Sequence, residues 1–82
     1  MNKQRRKIIG NQMTRIQAAL EIINSVKDEL ENVLDDEEFA FDSMPEGLQY
    51  SERGETSQEA IDTLTEVLSN LEEAVDSLEE II

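Results

Sequence analysis

Four carboxylates in a row, Asp35-Asp36-Glu37-Glu38, are the residues of this chain that most suggest chemistry. A carboxylate cluster can hold a hard cation. The spacing argues against it. A calcium loop needs an Asp-x-Asp-x-Asp-Gly pattern, and consecutive helical residues point to different faces. The run is therefore expected to be a solvated acidic surface that meets a basic partner protein. The 82 residues contain no histidine and no cysteine. The commonest general base, the commonest transition-metal ligand and the thiolate nucleophile are all missing. There is no glycine-rich phosphate loop either. The chain is expected to be no enzyme, to hold no metal and to need no cofactor.

A second polar set surrounds the only proline. Gln49, Tyr50 and Ser51 offer hydrogen bonds, and Arg53 offers a guanidinium suited to bidentate contact with a phosphate. Joined by Arg5, Arg6 or Lys7 of a neighbouring chain, they would form a pocket for an anionic nucleotide. Charge is otherwise segregated. Residues 1–15 carry Lys3, Arg5, Arg6, Lys7 and Arg15 and no acid, whereas the remainder carries all 20 acids against Lys27 and Arg53. A net charge of −13 repels nucleic acid and anionic membrane and attracts basic proteins. The basic group has no aromatic residue to stack a base, so direct nucleic-acid binding is not expected and pairing with the chain's own acids is.

The elements that would position these residues are legible from apolar spacing. Ile61, Leu64, Leu68, Leu71, Val75, Leu78 and Ile82 recur at alternating steps of three and four. Ile9, Met13, Ile16, Leu20, Ile23, Leu30 and Leu34 follow the same grid, interrupted at Lys27. An average step of 3.5 residues places each set on one seam of an α-helix. The fold expected is all-α: an antiparallel hairpin with one helix over about 3–43, a loop over about 44–55 and a second helix over about 56–82, in a single domain. Pro45 sets the end of the first helix. Thr56-Ser57-Gln58-Glu59 reads as a capping box opening the second. The turn pairs Leu34 with Ile61, Leu30 with Leu64, Ile23 with Leu71, Leu20 with Val75 and Met13 with Ile82. The basic start then overhangs by about two to three turns.

Each helix has a second apolar row beside the seam: Ala19, Ile22, Val26 and Val33 in the first, Ala60, Val67, Ala74 and Ile81 in the second. A face that wide suits a helix with two neighbours. A lone hairpin leaves it in water, so a homo-oligomer is expected, a dimer forming a four-helix bundle in which Ile16, Leu20, Ile23, Leu30, Leu64, Leu68, Leu71, Val75 and Leu78 line the seam. The charges oppose the helix dipoles, with cations at the first helix start and acids near both helix ends. An antiparallel pairing of hairpins would set each basic start against the partner's acidic loop end. Phe39 and Phe41, two apart, cannot both face the core. With Met44, Leu48 and Tyr50 they form either a plug for the bundle end or a binding edge.

The stretch Phe41-Asp42-Ser43-Met44-Pro45-Glu46-Gly47-Leu48-Gln49-Tyr50-Ser51-Glu52-Arg53, followed by the Leu-Glu-Glu-Ala-Val-Asp-Ser-Leu-Glu-Glu tail, resembles small acidic proteins of bacteriophages and mobile elements of Gram-positive bacteria. In those proteins an Asn-Met-Pro-Glu-Asn-Leu-Gln-like phrase joins two acidic helices. Ser43 and Gly47 stand here where the phrase has asparagines. The resemblance implies a phage setting, in which small non-enzymatic proteins often block a host enzyme or defence protein. The function expected is binding and inhibition of such a protein through the acidic surface, by imitating the charge of nucleic acid. A sponge for an anionic nucleotide signal and a purely structural self-associating module are the alternatives. No stretch approaches the roughly 18 apolar residues of a membrane span. The start is too polar for a signal peptide, so the cytoplasm of a bacterial host cell is the expected location.

Overall fold

The computed structural model describes Asn2 to Ile81. The chain forms α1 (Lys3–Asp42), the single turn α2 (Glu46–Gln49) and α3 (Glu52–Ile81). No strand occurs among the described residues. α3 folds back along α1, giving a helical hairpin of 66 × 17 × 15 Å. Ile82, and with it the expected Met13–Ile82 pairing, lies outside the described residues.

Helix ends follow from local chemistry. Asn2 caps α1, its side-chain oxygen accepting the Arg5 backbone N–H at 2.8 Å. At the other end the N–H groups of Ser43 and Met44 close onto the carbonyls of Phe39 and Phe41. Pro45, which has no N–H to continue the ladder, opens α2 instead, its carbonyl accepting from Leu48 and Gln49. The expected loop over 44–55 is thus mostly helical. α3 begins at Glu52, four residues before the expected capping box. Thr56 is no cap: its hydroxyl donates to the Glu52 carbonyl at 3.0 Å within the helix. Ser51 takes that place, its Oγ accepting from the Gly54 N–H at 3.5 Å. The earlier start brings Glu52 and Glu55 into the first turn, where carboxylates are favoured by the dipole.

Along the interface the 3-4 grid runs further toward the turn than the apolar residues alone suggest. From Leu34 it continues through Glu37 and Phe41 on α1 to Met44 just beyond the helix end, all half-buried. On α3 it runs back from Ile61 through Ser57 and Gly54, both buried. Gly54 is required there. A Cβ on it would lie 2.5 Å from the Leu48 carbonyl oxygen and the Gln49 carbonyl carbon, inside any allowed contact. The Ser57 hydroxyl donates to the Glu37 carboxylate at 2.5 Å across the seam. That bond sits three residues along α1 and four along α3 from the Leu34–Ile61 pair, so the antiparallel register is close to the one read from the turn. Ser57→Ala leaves a half-buried carboxylate without its donor. It is expected to cost about 1 kcal/mol, the loss being moderated by water on the open side. Urea unfolding of the two proteins checks this, and an unchanged midpoint would mean the bond contributes nothing.

The rod is too thin for a closed core. A helix with its side chains is about 10–12 Å across, so the two long helices have only each other along most of their length and share one seam. Among the described residues only Leu20, 8% exposed, and Val75, 5% exposed, are buried apolar side chains. The radius of gyration is 19.1 Å, against about 12 Å for a globular chain of this length. Accessible surface is 6444 Å², whereas a compact monomer of this mass exposes about 5,000 Å².

Candidate interaction surface

Number the seam as heptads with Leu20 and Val75 at position a. Ile16, Ile23, Leu30, Leu64, Leu71 and Leu78 then occupy d, and Lys27 and Leu68 occupy a; all of these but Leu20 and Val75 are half-buried. Ile9, on the same grid, is exposed because α3 does not reach it. In an antiparallel pair the g flank of one helix lies on the same side as the g flank of the other, since reversing one helix mirrors its wheel. The two second rows therefore merge into one face of the hairpin. Ile22, 66% exposed, and Val33, 51% exposed, lie open on its α1 half; Val67 and Ile81 lie open on its α3 half.

Charge is partitioned around that face. Every acid of α3 falls at b, e or f. The c and g positions from Thr56 to Ile81 carry only Thr, Ala, Val, Asn, Ser and Ile. A third of the chain's residues are charged, so eight successive flank positions without one charge mark a surface kept apart from the acidic remainder.

The acidic run divides by geometry. Asp35, Asp36 and Glu38 are exposed, but Glu37 is turned into the seam and held by Ser57. Three of the four acids are thus open to solvent. The turn's polar groups are partly engaged in the turn itself. Gln49 Nε2 donates to the Phe41 carbonyl at 3.1 Å, and the Ser51 hydroxyl donates to the Leu48 carbonyl. Tyr50, 78% exposed, and Arg53 remain open to solvent. Phe41 and Met44 close the end of the seam, while Phe39 points outward at 74% exposure. Of the expected plug, two residues serve and the outer aromatics do not.

Arg5, Arg6 and Lys7 are exposed on the overhang of α1. Ile81 lies near the level of Met13, so Lys7 stands about 9 Å beyond it along the axis. The basic start therefore overhangs the end of α3, and Arg15 stands at the level of Glu79 and Glu80. Its guanidinium donates to Gln12 Oε1 at 3.3 Å. Among the described residues there is no cavity, no group of three or more potential metal ligands, and no helix long and apolar enough to cross a membrane. Comparison of the chain with protein families, curated proteins and solved structures finds no match.

The seam roles of Gly54, Ser57 and Glu37 are hidden from a search for apolar residues. The signal is nonetheless in the spacing: extending the 3-4 grid outward from Ile61 and Leu34 lands on all three.

Proposed function

We propose that this protein is a non-enzymatic interaction module. Two hairpins pack into a four-helix bundle through their merged apolar flanks, and the acidic surface left outside captures a basic face of another protein. The observation that carries the proposal is the partition of charge: acids at b, e and f of α3, none at c or g. A solubility surface alone would scatter its charges over every exposed position. The resemblance to small acidic phage proteins supports a host enzyme or defence protein as the target and inhibition as the outcome.

The accessible surface supports the packing step. The excess over a compact monomer is about 1,500 Å² per chain, and a stable interface removes roughly 800 Å² or more from each partner. Sedimentation is expected to give at least twice the monomer mass at micromolar concentration. A stable helical monomer there would end the four-helix proposal.

Capture of a basic partner is tested through rates. Asp35→Asn with Glu38→Gln is expected to slow association with the partner recovered from host lysate, with little change in dissociation and convergence of the two proteins at high salt. The fold is expected to be untouched, since both side chains are exposed. If association is unchanged and Arg53→Ala abolishes it instead, the loop cation is the contact and the nucleotide-sponge alternative replaces this one.

A further inference from the structure

The α1 half of the apolar face has an ordered charge pattern that the α3 half lacks. Along positions c and g it begins with Arg5 and Arg15, passes through Ala19, Ile22 and Val26, and continues to Glu29 and Asp36. These four charges are the only ones on that flank between Lys3 and Asp42. Positive lies at one end, apolar in the centre and negative at the other. A strip with that order is complementary to its own reverse.

We infer that the second copy docks α1 against α1, antiparallel, about a two-fold axis passing beside Ile22. The inference rests on the self-association proposed above and specifies which surfaces meet. Turning the strip end for end about Ile22 sets Ala19 beside the second copy's Val26 and Arg15 beside its Glu29. Because the interface is isologous, each of these contacts occurs twice. Arg5 comes within one helical turn of Asp36 in the second copy. The same operation lays the far half of α3 against its counterpart, where the flank from Thr56 to Ile81 is uncharged and Arg53 lies beyond the overlap. A parallel arrangement would lay α1 over α3 and leave Arg15 and Glu29 facing apolar or uncharged residues.

Arg15 and Glu29 have no route to one another within a chain. Fourteen residues of helix separate them by about 21 Å. Both are exposed in the hairpin, so neither is needed for its fold. An aligned pair of opposite charges at equal distances from an open isoleucine is therefore available only to a second molecule.

The charge-swap test exploits the two-fold symmetry. Arg15→Glu sets carboxylate against carboxylate at both ends of the strip, and Glu29→Arg sets guanidinium against guanidinium at the same two places. Each single variant is expected to weaken dimerisation by about tenfold or more, because two attractive contacts become repulsive. In an equimolar mixture of R15E and E29R, a mixed dimer again has an acid opposite a base at both ends. The mixture is therefore expected to recover the parental dimer. Circular dichroism should show unchanged helicity throughout. As a second measurement, Ile22→Cys is expected to give a disulfide-linked dimer on mild oxidation and Asn24→Cys, on the opposite flank, is not; the parent has no cysteine to interfere. Failure of the mixture to recover, or equal cross-linking at both positions, overturns the α1–α1 geometry while the parent remains dimeric. A parent that is monomeric overturns the self-association proposal as well, and the sedimentation of the parent separates the two cases.

Discussion

Leu20→Ala is expected to lower the unfolding free energy by about 2–5 kcal/mol, as other buried leucine truncations do. A chain of this size is stabilised by only about 4–12 kcal/mol, so the variant loses a large share and unfolds near ambient temperature or at low urea. Leu20 and Val75 are the two most buried apolar side chains of the hairpin, and a rod with one seam has no second layer to collapse into the cavity. The control lies two residues away. Ile22 is on the open flank of the same helix, and at concentrations where the chain is monomeric Ile22→Ala is expected to change stability by less than about 0.5 kcal/mol. Chemical denaturation of both variants tests the rotation of α1. Equal losses would mean that the seam and the flank have been exchanged.

Gly54→Ala is expected to destabilise by about 1–3 kcal/mol even though alanine is the better helix former, because its methyl would have to displace backbone rather than a flexible side chain. The close approach is to the Leu48 and Gln49 carbonyls, the last turn before the chain reverses. Gly10 provides the opposite sign. It is exposed within α1, and a methyl placed on it would meet nothing within 4 Å. Gly10→Ala is therefore expected to stabilise by about 1 kcal/mol through helix propensity alone. The two thermal midpoints should move apart by several degrees in opposite directions, at about 4–8 °C per kcal/mol for a domain of this size. Parallel shifts would show that α3 does not pack against the turn in the way described.

These two variants also separate what each level of structure contributes. Leu20 and Val75 are legible as seam residues because a repeat of 3.5 places such residues on one side of a helix wherever the helix is found. Gly54 falls on the extended 3-4 grid but has no apolar side chain to mark it as a packing residue. Its glycine reads as a breaker in a loop, and only the close approach of Leu48 and Gln49 gives it a place inside a helix. Thr56 misleads for a related reason: the Thr-x-x-Glu pattern fits a cap, but Ser51 with Glu52 and Glu55 behind it caps earlier and places acids where the dipole favours them.

The sequence by itself determined two long helices, their antiparallel order and the apolar surplus that one hairpin cannot cover, since all three follow from periodicity and a single proline. Tertiary structure alone decided that the grid continues into the turn, so that Glu37 turns inward to Ser57 and the reversal tightens onto Gly54. Those depend on the rotation of one helix against another, and rotation is fixed by the packing of pairs of side chains far apart in the chain, as when Ser57 reaches Glu37.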